Sequence, residues 1–416
     1  MERMKMRGRK YRGRILAACS MVVVLLSACT IEDIPLRDTL LELGYYWEQA
    51  LKVEATTPLN PDQFGRSVAV YGDWAAVGAN EESAYKGAVY IYHKSSSGWS
   101  PSQKIPGGSA DDILGTSVAI YGDFLLIGAP GVSSNAGRAY VYQLSSGTWT
   151  LLRTLESPVV DGAGLFGMSV ALTDQYAFIG APYHGAGEGR VYAFYRNEGG
   201  ADMWGAPGSG QTLSRAAPAA KTMGDYFGSS VAASGDYAVV GIPESSLVPP
   251  SGGASIFHLS GGTWSQTAAL VSDNPAFDYF GSAVSISGDV AAVGAPDEEA
   301  VYVFTRNGSD WSGTVLRAPD EYAGSEYGTA VAISGSLLLV GAPADATEGT
   351  RAGRVFFYRF DSSSWVRDGT LVATDGEAGA ELGFFAAMDG DHALAAAPGN
   401  TTPDLPGAVY FLERVR

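Results

Sequence analysis

Residues 278–304, DYFGSAVSISGDVAAVGAPDEEAVYVF, spell out a unit that returns seven times along the chain, and no other property of the sequence limits the fold as much. The aromatic-glycine pair Phe280-Gly281 opens it. A short strand follows, with Val284 and Ile286 on one face and Ala283 and Ser285 on the other. Gly288-Asp289 supplies a tight hairpin turn. Residues 290–295 are small and apolar on both faces, the pattern of a strand covered on both sides. Pro296 has no amide to give a ladder, so the chain must leave the sheet there and return as the aromatic and β-branched strand 301–304.

Aligned on their glycine, the units fall at Gly65, Gly115, Gly167, Gly228, Gly281, Gly328 and Gly383, preceded by Phe64, Leu114, Phe166, Phe227, Phe280, Tyr327 and Leu382. The predicted turns are Gly72-Asp73, Gly122-Asp123, Thr173-Asp174, Gly235-Asp236, Gly288-Asp289, Gly335-Ser336 and Gly390-Asp391. The second strand closes on GAN at Gly78, GAP at Gly128, Gly180, Gly294 and Gly341, GIP at Gly241, and AAP at Ala396. A third strand then starts at Ala88, Ala139, Val191, Ala254, Val301, Val355 and Ala408. A fourth opens on tryptophan, at 99–105, 149–155, 264–270, 311–316 and 365–371, while an insertion within 201–220 that reads as a loop parts Trp204 from Leu213. The seventh unit has no fourth strand, yet Trp47 begins a matching segment, 47–53, ahead of the first unit. The strands balance only if the first and last segments meet in one sheet.

That arrangement is a ring: an all-β, seven-bladed β-propeller of four-stranded blades, closed by the N-terminal strand pairing into the last blade. A solenoid would need polar caps and no exchange between its ends. Glycine at 54 of 416 residues and charged residues at 17% suit many short strands joined by turns. The phenylalanine-glycine and glycine-alanine-proline signatures resemble the FG-GAP repeat of integrin alpha-subunit head propellers, also found in glycosylphosphatidylinositol-specific phospholipase D and many bacterial surface proteins. The resemblance implies a propeller over residues 41–416 and leaves function open. Members of that family often carry an Asp-x-Asp-x-Asp-Gly calcium loop between the first and second strands. Here each unit has a two-residue turn in that place, so those calcium sites do not carry over and no metal or other cofactor is expected.

Ahead of the repeats, Arg3, Lys5, Arg7, Arg9, Lys10, Arg12 and Arg14 precede an apolar run, 15–28, too short to cross a bilayer as a helix. Residues 1–29 read as a signal peptide whose end, Leu26-Ser27-Ala28-Cys29, resembles the bacterial lipobox. That resemblance implies lipidation of Cys29, and Thr30 after it implies passage to the outer membrane, with residues 30–40 as a tether. Cys19 and Cys29 are the two cysteines of the chain, so the mature protein would have no disulfide. The net charge of −17, with seven of the 27 bases in the leader, argues against nucleic acid as a partner.

The loops before each aromatic-glycine pair and after each GAP share one end of the ring by strand order. They differ from unit to unit and carry Glu81, Glu82, Asp111, Asp112, Asp297, Glu298, Glu299, Asp320, Glu321, Asp345 and Glu348, with Tyr85, Tyr183 and Tyr322 as aromatic contacts. This end is the candidate binding face, for a basic protein or a cation-bridged glycan. A second acidic series, Asp62, Asp112, Asp225 and Asp278 with Glu326 and Glu381, precedes the aromatic-glycine pairs. If the first strand is innermost these carboxylates approach the channel mouth, as cation ligands or as the acid and base of a glycan-active enzyme; the simpler reading is that each caps a loop amide or meets water. The turn aspartates are accounted for by turn chemistry. His93, His184, His258 and His392 sit at non-equivalent places, and neither HExxH nor a G-x-S-x-G in a strand-turn-helix context is present. A binding or scaffold module is thus the leading expectation, with a glycan-active enzyme or a structural assembly protein as alternatives.

Overall fold

The computed structural model describes residues 46–55, 62–159, 162–205, 209–214, 224–243, 252–274, 279–319, 322–373, 378–399 and 405–415. Among them are seven antiparallel sheets of four strands each, and six of these take their strands in chain order. The unit quoted above becomes blade 5, with strands Val284–Ser287, Val290–Ala295, Ala300–Asn307 and Asp310–Arg317. Blade 7 closes the ring as expected, its order running from outer strand Tyr46–Glu54 through Ala408–Val415 and His392–Ala397 to inner strand Phe385–Asp389. Trp47 of the outer strand stacks on Phe357 of blade 6 at 4.7 Å.

The hairpin turns follow the sequence with one correction. In blade 5, Ser287 pairs with Val290 around Gly288, whose φ of 56° is free for glycine and strained for other residues. In blade 3 the turn is Asp174-Gln175 rather than Thr173-Asp174. Thr173 faces Tyr176, and its hydroxyl accepts the amides of Gln175 at 3.3 Å and Tyr176 at 3.0 Å, so a side chain holds the turn that glycine permits elsewhere. The backbone oxygens of Asp73, Asp123, Asp236, Asp289 and Asp391 each accept an amide from the third strand, at 2.8–2.9 Å, which gives the turn aspartates their structural place.

The signature glycines are where blades touch. Within a blade the amide of the first glycine donates to the carbonyl of the second, as in Gly115 to Gly128 and Gly281 to Gly294, both at 3.0 Å. Its own carbonyl then projects onto the preceding blade. A Cβ added at Gly78, Gly128, Gly180, Gly241, Gly294 or Gly341 would lie only 1.9–2.2 Å from that oxygen, closer than any real contact. In four blades a serine hydroxyl donates to the same oxygen, from Ser67, Ser117, Ser169 and Ser230 at 2.7–2.8 Å. The seam between blades 7 and 1 is the exception, because Ala396 stands where the other blades have glycine.

The outer strands bind the ring at larger radius. Trp99, Trp149, Trp204, Trp264 and Trp311 each meet, edge to face at 5.3–6.0 Å, the aromatic ring that opens the second strand of the preceding blade: His392, Trp74, Phe124, Tyr176 and Tyr237. Trp204 keeps this socket although the outer strand of its blade is cut to Gln211–Leu213, so the insertion leaves the blade contact intact.

The seven first strands surround a central cavity of about 430 Å³ that opens at the loop-bearing end. The residue after each signature glycine rings its mouth: Arg66, Thr116, Met168, Ser229, Ser282, Thr329 and Phe384.

Candidate functional site

Both sets of loops do lie at one end of the ring, and hydrogen bonds join them into a platform. After the second strand in blades 1 to 3 the chain makes a left-handed turn, Ser83-Ala84-Tyr85, Ser133-Ser134-Asn135 and Gly185-Ala186-Gly187, all at positive φ. The oxygens of Tyr85, Asn135 and Gly187 accept the amides of Ile113, Leu165 and Tyr226 in the next blade, at 2.8–2.9 Å. Just beyond, Gly87, Gly137, Gly189 and Gly353 form parallel bridges to Leu114, Phe166, Phe227 and Leu382. A Cβ at Gly87 would meet the Leu114 oxygen at 2.1 Å, which is why glycine precedes the third strand. This glycine is a repeat feature that alignment on the two signatures passes over.

The candidate face residues divide by what their side chains already touch. Glu82 accepts the Tyr90 hydroxyl at 2.7 Å and pairs with Lys104 at 2.5 Å. Glu298 is buried under the Tyr302 hydroxyl at 2.9 Å and pairs with Arg317 at 2.6 Å. Burial, together with these acceptors and Asp273, pushes the Tyr302 pKa up. Asp345 is buried, accepts the Thr347 amide at 3.2 Å and faces Arg354 at 3.4 Å. Asp112 accepts the Ser109 amide at 2.7 Å. Tyr322 lies half-buried beneath the Arg354 guanidinium at 4.7 Å.

The others present themselves to solvent. Tyr85 and Tyr183 are 49% and 47% exposed, and Asp111, Asp297 and Glu348 are exposed too. Tyr183 also meets the Tyr226 ring at 4.9 Å. Glu81 and Glu299 are half-buried. Burial raises the Glu81 pKa against the opposing pull of Arg66. Asp320, Glu321, Asp278 and Cys29 lie outside the described residues. The bases that occupy the acids were missed in the sequence, though the Gly-Arg step before the third strand, as at Gly137-Arg138 and Gly353-Arg354, was a usable signal. Arg138 likewise pairs with Glu156 at 2.8 Å.

The described members of the second acidic series do not reach the channel mouth. Asp62, Asp225 and Glu381 are buried, and Arg351 clamps Glu381 at 2.9 Å and Glu326 at 2.8 Å. None of these carboxylates lines the central cavity, where the residue after each signature glycine reaches the mouth instead. Among the described residues no three of His, Cys, Asp or Glu gather as a metal site. The histidines remain apart: His93 packs on Trp74 at 4.3 Å, His258 on Tyr237 at 4.4 Å, His392 against Trp99 at 5.6 Å, and His184 is buried near Tyr192.

Solved structures of similar shape include the β-propeller domain of Cps50 (Swd1) from Myceliophteria thermophila, at 12% identity and TM-score 0.56, covering 88% of this chain and 99% of that one. A putative 6-phosphogluconolactonase from Bacteroides uniformis aligns at 12% identity and TM-score 0.50, over 74% of this chain and 85% of that one. At such identity the likeness is one of fold. No curated protein matches the sequence. The FG-GAP repeat matches at residues 47–92, 99–142, 218–257, 264–309 and 311–358, skipping the interrupted third blade and the closing seventh. Each match starts at an outer-strand tryptophan or just ahead of an aromatic-glycine pair and ends in a third strand or just past it, so the repeat in the sequence is one strand out of step with the blade in space. With more than half of its length matched in this way, the chain belongs to the FG-GAP repeat family.

Proposed function

We propose that this protein is a lipid-anchored binding or scaffold module of the bacterial cell envelope, which recognises a protein or glycan partner through the loop-bearing end of its propeller. The observation that carries the reading is the platform itself: loops of different sequence in every blade, tied by backbone hydrogen bonds between blades 1 and 2, 2 and 3, 3 and 4, and 6 and 7, with Tyr85 and Tyr183 standing exposed on it. A rigid scaffold that displays variable loops is the usual way a repeat fold comes to recognise partners. Apart from the connection of blade 3 between Tyr195 and Gln211, the opposite end carries two-residue hairpins and short turns among the described residues. The leader ending in Cys29 supports attachment by a thiol-linked lipid, and Thr30 supports the outer membrane as destination. Exposed Asp111, Asp297 and Glu348 favour a partner with basic groups, whose association slows as salt rises.

The test is retention of envelope proteins and glycans on the immobilised protein. Asp297→Lys with Glu299→Lys, and separately Tyr85→Ala with Tyr183→Ala, are expected to lose the partner. Ser362→Ala with Ser364→Ala, at the far end, is expected to keep it. Loss only with the far-end variants would overturn the assignment of the face.

A further inference from the structure

Six of the seven positions around the cavity mouth carry hydroxyl or apolar side chains, and the hydroxyls of Thr116, Ser229 and Thr329 are spent at 2.8 Å on carbonyls of their own loops. The fold therefore does not need a cation there. Arg66 nevertheless places one at the seam between blades 7 and 1, with its guanidinium 4.7 Å over the Phe385 ring. It forms no ion pair or hydrogen bond through that group among the described residues. Burial pulls its pKa below the ordinary value, with only Glu81 acting in the other direction. A half-buried guanidinium with no hydrogen-bonded counter-charge costs stability, and stays cationic even so. Ser282, on the same cavity, has a buried hydroxyl oxygen with no partner. Val68, Val118 and Phe385 supply apolar wall. A cavity of about 430 Å³ is of the size that encloses a small molecule.

We infer that the mouth of the central cavity binds a small organic carboxylate, whose two oxygens take the forked N–H donors of Arg66, with the Ser282 hydroxyl as a further donor and the apolar body against the valines and Phe385. Planar, two-point recognition is what a guanidinium does better than any other side chain. The site is independent of the loop-face reading, since none of the acids or tyrosines of that face lines the cavity and a partner lost from them leaves it intact.

The experiment is calorimetric and thermal titration of the full-length protein with benzoate, with its neutral analogue benzamide, and with inorganic phosphate, all at constant ionic strength. Benzoate is expected to bind saturably at millimolar concentration and raise the melting midpoint, and benzamide to do neither. Arg66→Gln is expected to weaken benzoate at least tenfold and Arg66→Lys less, with unliganded Arg66→Gln melting no lower than the parent. Should Arg66→Gln fail to fold or melt far lower, the cation is a clasp on Phe385 and the inference falls. Ser282→Ala provides a second reading, with benzoate weakened a few-fold. Absence of saturable benzoate binding, equal binding of benzamide, or tighter binding of phosphate would each overturn the proposal.

Discussion

Gly128→Ala tests the claim that the signature glycines are the contact between blades. The new methyl would sit 2.0 Å from the carbonyl oxygen of Gly167 and 2.3 Å from Oγ of Ser117, the group that donates to that same oxygen at 2.8 Å. Relief requires the two blades to part by about an ångström and the serine to turn away. The first is overpacking, at roughly 1–3 kcal/mol. The second loses a buried hydrogen bond and strands its groups, for about 1 kcal/mol more. A total near 3 kcal/mol, spread over the unit 47–415, corresponds to a fall in melting midpoint of about 4 °C. Gly122→Ala is the contrast: it places alanine at positive φ, 56°, a strain that Gly128→Ala does not carry, but nothing lies within 4 Å of its Cβ, so it should cost only about 1 kcal/mol. Urea unfolding followed by tryptophan fluorescence gives both values. If Gly128→Ala is no worse than Gly122→Ala, close approach of the blades is not the reason for the glycine.

Deleting residues 46–54 should lower the midpoint sharply or cause aggregation, because it bares the edge of Ala408–Val415 and uncovers Phe357, whereas deleting residues 30–39 should not; equal melting would contradict closure. Cys29→Ser should release the chain from membranes on fractionation, and continued palmitate labelling of that variant would contradict lipidation. Millimolar calcium or a chelator should move the midpoint by less than about 1 °C, since every first turn is too short to wrap the ion. The Asp361 carboxyl has its pKa held down by the Ser364 amide and by the hydroxyl and amide of Ser363, so its contribution is present at neutral pH and lost as pH falls through that lowered pKa. Asp361→Ala should accordingly melt below the parent at neutral pH and converge with it in acid.

The ring was legible because its evidence is periodic. Seven copies of one pattern place the strands, and the tryptophan at 47 standing in for the one missing after blade 7 gives the closure. The single slip in a turn came where threonine replaced glycine, and hydroxyl caps leave a fainter mark than a glycine does. The site was read less well for a different reason. Glu82, Glu298 and Asp345 look like free charges in the loops that contain them, and their partners Lys104, Arg317 and Arg354 stand on strands that register, rather than sequence proximity, brings beside them. In the second acidic series the described acids do not line the channel mouth, and Asp112 caps the loop amide of Ser109 as the simpler reading has it. Arg66 passed unnoticed because the alignment shows its counterparts to be uncharged but only the folded ring shows that all seven positions meet around one cavity.

The sheet that closes the ring joins residues from opposite ends of the described chain. Strand Tyr46–Glu54 leaves the ribosome before every other described strand, and its neighbour Ala408–Val415 after all of them. Between those two moments each completed set of strands can pack on its predecessor, but the first blade lacks the neighbour that covers Val68 and Trp99, and the earliest strand waits with an open edge. Contacts of such long range also make the final step slow. A nascent chain of this design thus holds a protected middle and two adhesive edges until strand Ala408–Val415 has emerged, and anything that engages those edges, a chaperone or another copy of the chain, competes directly with closure of the ring.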